Sequence, residues 1–172
     1  HELLKDCTKT CLYEHERQAD QMVPRPGLIE QQLGHVFLVG ASGVGKTTLA
    51  LQQLNNHYKQ NGLGLVIPHE SIDRATSIAE AVSIELLKLH SGLQPDAGSQ
   101  AIALGTAHLP FTIIIEDVNK AARPAALFNK LAQWILQNQD TTNNWRLICP
   151  IWPRYIDSLL QQYDKKISSL FT

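Results

Sequence analysis

Four stretches of this chain are continuously or nearly continuously apolar, and the segments between them carry apolar residues at helical spacing. Val36-Phe37-Leu38-Val39, Leu63 to Pro68, Phe111-Thr112-Ile113-Ile114-Ile115 and Arg146-Leu147-Ile148-Cys149 predict strands. The third of these is rich in β-branched residues and has no polar alternation, the pattern of a strand buried on both faces of a parallel sheet. A helix is predicted from Lys46 to about Tyr58, with Leu49, Leu51 and Leu54 inward and Asn61-Gly62 as its stop. Ser77-x-x-Glu80 reads as a capping box opening a second helix with Ile78, Val82, Ile84, Leu87 and Leu89, which runs to Ser91-Gly92. Pro124 starts a third, with Leu127, Phe128, Leu131, Trp134 and Ile135 on one side. Pro153 opens another through Ile156, Leu159, Leu160 and Tyr163, and Ile167 to Phe171 predicts a fifth strand.

The connecting segments are less patterned. Residues 93 to 109 hold Pro95, Gly98 and Gly105 and predict a loop with at most one short helix. Residues 1–22 carry a weak helical pattern (Leu3, Leu4, Cys7, Cys11, Leu12) and read as an arm or linker helix, broken by Pro24 and Pro26. A short helix through Leu28, Ile29 and Leu33 is expected before the first strand. Strands alternating with long helical segments imply right-handed crossovers, so the expected fold is a three-layer α/β/α sandwich with a parallel sheet, occupying residues 23–172.

Composition narrows the classes. At 172 residues, 44% hydrophobic and 18% charged, the chain holds one domain's worth of core. Its formal net charge of −1 supplies no global basic field, which argues against a protein that coats nucleic acid or an anionic membrane. There is no long apolar run and no basic, then apolar leader, so no membrane partner is expected and a cytoplasmic location is. Cys7, Cys11 and Cys149 form an odd count without zinc spacing and read as reduced, apolar thiols. The seven histidines form no H-x-x-x-H pair. The chain starts at His1 and ends as if another element were beginning, so a piece of a longer protein is expected.

One motif carries chemistry. Gly40-Ala41-Ser42-Gly43-Val44-Gly45-Lys46-Thr47 matches G-x-x-x-x-G-K-[ST] in full and follows the first predicted strand. Its glycines let backbone N–H groups turn toward phosphate oxygens, and the helix that follows aims its positive dipole end at the same anion. Lys46 is placed to reach the β- and γ-phosphates, Thr47 to bind Mg²⁺ and Thr48 to meet the α-phosphate. The expected cofactors are ATP and Mg²⁺. Guanine is disfavoured because Asn119-Lys120-Ala121-Ala122 lacks the aspartate of N-K-x-D.

Glu116 and Asp117 end the third predicted strand, where ligands bind in open α/β sheets. With them the chain resembles the P-loop NTPases that have an added strand between the Walker A and Walker B strands. Among these it looks most like the STAND class, relatives of the AAA+ proteins, over roughly residues 23 to 172. The resemblance implies catalytic roles for Lys46, Glu116 and Asp117, with Glu116 linked to the metal and Asp117 positioning the attacking water. That order is the reverse of the common Asp-Glu and implies slow hydrolysis. Val23-Pro24-Arg25-Pro26 resembles the family's lead-in segment near adenine, which makes Arg25 a nucleotide-contact candidate, although the family's glycine and glutamate are replaced. Cys149-Pro150-Ile151-Trp152-Pro153-Arg154 stands where a T-x-R-P-like sensor would be; tryptophan replaces the arginine, so Arg154 is the substitute candidate for the γ-phosphate. Asn119 and Arg123 are further polar candidates.

The function expected from this resemblance is an ATP-binding and ATP-hydrolysing switch domain of a multidomain signalling or defence ATPase. Its partners would be flanking lid, sensor and effector domains of the same chain, with nucleotide-dependent homo-oligomers. An AAA+ ATPase acting on DNA, a small-molecule kinase and a nucleotide-binding module without turnover are the alternatives. The absence of arginine from residues 93 to 109 counts against the kinase, which needs a basic lid, and no basic face argues for nucleic acid.

Overall fold

In a computed structural model the described residues are 1–19, 34–137 and 144–155. They form α1 (Glu2–Ala19), β1 (Val36–Val39), α2 (Lys46–Lys59), β2 (Gly64–Pro68), α3 (His69–Arg74), α4 (Ile78–Leu89), α5 (Ala97–Ala103), β3 (Phe111–Glu116), α6 (Pro124–Gln137) and β4 (Trp145–Ile151). Short 3₁₀ turns occupy Val118–Lys120 and Pro153–Tyr155. The Val23–Pro26 segment with Arg25, the expected helix through Leu33, the helix beyond Tyr155 and the fifth strand lie outside the described residues.

The four strands make one sheet in the order β1-β4-β3-β2, and every neighbouring pair is parallel. One strand, β4, therefore separates the strand that leads into Gly40 from the strand that ends at Glu116. β3 is buried from Phe111 through Ile115 and β4 along its whole length, as continuous apolar runs in a parallel sheet require. α2 packs on β3 and β4 through Leu51 and Leu54, while α4 packs on β2 and carries α5. That last contact is close because Gly98 has no side chain and its N–H donates to Ser83 Oγ at 2.8 Å.

The sequence bounds hold closely for α2, β2, β3 and α6. The capping box at α4 forms by half: Ser77 Oγ accepts the Glu80 N–H at 3.1 Å, but the Glu80 carboxylate reaches Thr76, accepting from its N–H at 2.7 Å and its hydroxyl at 2.6 Å. β4 runs past the expected Cys149 through Pro150 to Ile151. A proline is tolerated there because the β3–β4 ladder ends at Ile114 and Ile148, so no neighbouring strand needs its missing N–H on that side.

α1 packs against α2 and β2, and Cys7, Cys11 and Leu12 belong to the same buried cluster as the sheet. β2 is an edge strand whose outward N–H groups would be unpaired, and α1 satisfies them. Gly64 donates to Thr8 Oγ1 at 3.2 Å and Val66 to Cys11 Sγ at 3.2 Å. Residues two apart on a strand thus meet residues three apart on a helix, a pairing that closes the edge. At the amino ends of the strands, neutral histidines finish the polar accounting. His35 Nδ1 accepts the Leu147 N–H at 3.1 Å, and the His57 ring meets the Pro110 carbonyl at 2.8 Å. Burial pushes each of these histidines down to about 4.

Candidate functional site

The turn from β1 into α2 depends on glycine at two places. Gly43 and Gly45 have φ of 80° and 87°, the left-handed region that a side chain disfavours. At Gly40 a Cβ would approach the exposed Val44 methyl to 2.9 Å, so a side chain there would require Val44 to shift. Gly45 is the N-cap of α2 and provides no side-chain oxygen, so the first turn of α2 keeps its amide donors uncapped from that side. Gly40 and Ala41 use their carbonyls to hold Lys46, whose Nζ donates to them at 2.8 and 2.6 Å. Burial lowers the Lys46 ammonium from its ordinary value. Val44 points to solvent, and Ser42, Gly43, Gly45, Lys46, Thr47 and Thr48 form one wall of a cleft of about 370 Å³.

The other wall comes from the ends of β3 and β4: Asp117, Asn119, Lys120, Pro150 and Trp152. Its shape follows from Asp117, which stands directly after β3 with φ 55° and ψ 22°. Aspartate tolerates this left-handed backbone better than most residues, and an outlier of this kind at a cleft wall is a common mark of a functional position. The turn it begins folds Lys120 back over it. The Lys120 N–H donates to the Asp117 carbonyl at 2.7 Å, and Lys120 Nζ donates to Asp117 Oδ2 at 2.9 Å. The Asp117 carboxylate raises the Lys120 ammonium above its ordinary value.

Glu116 is one residue away and lines a different cleft. Its Oε2 lies 3.3 Å from His15 Nε2 on α1, whose Nδ1 lies 2.7 Å from the Cys11 carbonyl. This second cleft, of about 350 Å³, is lined by Cys11, His15, Val66, Glu85, Lys88 and Glu116 among others. Hydrogen bonding to Glu116 raises the His15 imidazole, and burial pushes the Cys11 thiol up to about 12, so the thiol stays protonated. Glu85 pairs with Lys88 at 2.7 Å and accepts the Ser71 hydroxyl. Among the described residues, every ionisable group here except Glu14 has a protein partner or is a neutral thiol.

Asn119 lines the cleft with its amide engaged at both ends. Its Nδ2 donates to the Pro150 carbonyl at 3.3 Å and its Oδ1 accepts the Trp152 N–H at 2.9 Å. The side chain therefore replaces main-chain pairing where β3 has ended and β4 continues, and in doing so fixes Trp152 at the cleft wall. Arg154 is exposed and folds over aromatic rings, 4.6 Å from the Trp152 centroid and 4.8 Å from that of Tyr155, with Nη2 donating to the Tyr155 hydroxyl at 2.7 Å. It is not among the residues lining the cleft. Arg123 lines a third depression with His69 and Arg74.

The structure thus gathers Lys46, Thr47, Thr48 and Asp117 around one space, and places Glu116 and Arg154 elsewhere. Sequence reasoning missed three residues. Lys120 was legible in the Asp-x-x-Lys spacing after β3, which a tight turn converts into a contact; Trp152 stood at the position of the sensor arginine but was passed over for Arg154, and His15 had no local signal. Comparison with models of known protein families gives no match for the chain, and none of the curated proteins matches it.

Proposed function

We propose that this chain is the ATP-binding, Mg²⁺-dependent ATP-hydrolysing switch domain of a larger signalling or defence ATPase, with the P-loop NTPase fold in three α/β/α layers. What carries the reading is the convergence of the Gly40–Thr48 loop, with its lysine and threonine, and the Asp117 carboxylate on the two walls of one cleft. The loop amides and the α2 terminus receive phosphate oxygens, and Lys46 exchanges the carbonyls of Gly40 and Ala41 for the β- and γ-phosphates. This exchange loses little, because the ammonium leaves two neutral carbonyl acceptors and gains anionic phosphate oxygens.

The residues present fit Mg²⁺. Thr47 offers a hydroxyl and Asp117 a carboxylate across the same cleft, a hard oxygen donor set for a cation that takes its remaining ligands from phosphate and water. Among the described residues no group of three or more His, Cys, Asp or Glu side chains could hold a metal by itself, so this set needs the nucleotide to complete it. The ion, when bound, would neutralise charge on the transferring phosphoryl group. The metal-facing role passes to Asp117, and Glu116 becomes the partner of α1. Among the described residues no second acid lines the cleft to position a water, which favours slow turnover or a module that binds without hydrolysing until a lid or a neighbouring subunit completes it.

Titration of ATP and of ADP into the wild type and Lys46→Ala by calorimetry tests the reading. Micromolar or tighter binding lost in the variant supports it; equal affinity in both proteins overturns it.

A further inference from the structure

Among the described residues the cleft holds three ionisable side chains along its walls: Lys46, Asp117 and Lys120. Lys46 is anchored on its own loop, whereas Lys120 rests on the one carboxylate that the metal would need. The two claims on Asp117 compete, since a cation that coordinates the carboxylate displaces the ammonium from it. We propose that Lys120 is a second phosphate-binding cation of this site, held in reserve on Asp117 and transferred to the nucleotide phosphates when Mg²⁺ takes its place. The inference rests on the nucleotide reading above and adds to it a residue that the phosphate-loop motif does not contain.

Three features of the turn make the transfer feasible. The Lys120 main chain is fixed by its N–H bond to the Asp117 carbonyl, so the Cα stays at the cleft wall while the side chain moves. The pair is exposed, with 68% of the Lys120 side chain and 52% of that of Asp117 accessible, so breaking it costs little. The four-carbon stem of lysine can sweep several ångströms across a cleft of about 370 Å³ whose opposite wall is the phosphate loop. Structural duty does not account for the residue: among the described residues Lys120 caps no helix and its ammonium has Asp117 as its one charged partner within salt-bridge distance.

With Mg²⁺ on Asp117, Lys120 lies on the phosphates, and its removal deletes that contact. Without Mg²⁺ the ammonium stays on Asp117 and only screens an exposed carboxylate from the polyanion, so the loss is smaller. Lys120→Gln should therefore weaken ATP binding in excess Mg²⁺ roughly tenfold, the worth of one charge-assisted contact, and in EDTA by less than about threefold. Asp117→Asn should tighten binding in EDTA, where it frees the ammonium, and erase the benefit of Mg²⁺. The experiment is calorimetric titration of ATP into the wild type, Lys46→Ala, Lys120→Gln and Asp117→Asn in both buffers, with thermal melting to confirm that each variant is folded. Wild-type affinity of Lys120→Gln in both buffers, or an equal loss in both, overturns the role of Lys120 while leaving the site intact. Undiminished binding by Lys46→Ala would instead remove the nucleotide site itself.

Discussion

Two clefts meet at the carboxyl end of β3, and consecutive acids serve them. Asp117 stands with Lys120 opposite the Gly40–Thr48 loop, and Glu116 stands with His15 against α1. The first cleft has a lysine held by backbone carbonyls, a left-handed aspartate and an exchangeable surface ion pair. In the second, Glu85, Glu116, His15 and Lys88 are mutually paired and the thiol is neutral. The difference teaches that adjacency in sequence is not adjacency in chemistry. A strand sends neighbouring side chains to opposite faces, and the abrupt turn at Asp117 completes the separation.

The largest effect should come from the first cleft. Lys46→Ala is expected to lower ATP affinity by roughly a hundredfold or more, because it deletes the one charge that the loop brings to the phosphates. Circular dichroism should show the fold unchanged, since among the described residues the Lys46 ammonium makes hydrogen bonds to its own loop alone. A variant that failed to fold would show that the lysine holds the loop together, and would blur the distinction between a working cleft and a structural one.

The second cleft and the edge beside it should answer with stability. Thr8→Val leaves the buried Gly64 N–H without an acceptor and is expected to cost about 1–3 kcal/mol in urea denaturation while leaving ATP affinity unchanged. Loss of nucleotide binding at full stability would show that α1 reaches the site.

The amino end of the sheet provides a control away from both clefts. His35 is held at about 4 against an ordinary 6.5, so it is neutral in the folded chain where the unfolded chain takes up a proton. Its contribution is present above pH 6.5 and is lost as the pH falls toward 4, by up to about 3 kcal/mol. Urea midpoints from pH 7 to 4.5 should therefore fall more steeply for the wild type than for His35→Asn, whose side chain can still accept from Leu147 without titrating. The smallest effect is expected at Arg154: Arg154→Ala should change ATP and ADP affinity equally little, since the guanidinium lies over Trp152 and Tyr155. A selective loss of ATP affinity would return Arg154 to the site.

How much was legible in the sequence follows the range of the forces involved. β3, α2 and α6 are written in local periodicity, and the loop before Lys46 in its glycines, so their bounds could be read directly. The packing of α1 could not. Its apolar pattern is weak, and its value lies in Thr8 and Cys11 meeting the N–H groups of an edge strand more than fifty residues away. β4 extends past the expected Cys149 through Pro150 because the β3–β4 ladder has ended there and the amide of Asn119 serves the main chain on that side, neither of which is local to the strand. The separation of Glu116 from Asp117 was hidden for a similar reason. The composition of the pair says that acids end the strand, but a left-handed backbone at Asp117 and a histidine on α1 decide which acid faces which cleft.

The most direct test of that separation is a paired titration of Mg²⁺-ATP into Asp117→Asn and Glu116→Gln, with urea denaturation of both. The account predicts that Asp117→Asn loses the Mg²⁺-dependent part of binding at unchanged stability. Glu116→Gln should bind Mg²⁺-ATP like the wild type and be less stable by up to about 1 kcal/mol, the worth of a partly exposed contact with α1. Loss of Mg²⁺-dependent binding in Glu116→Gln, with Asp117→Asn unaffected, would contradict it.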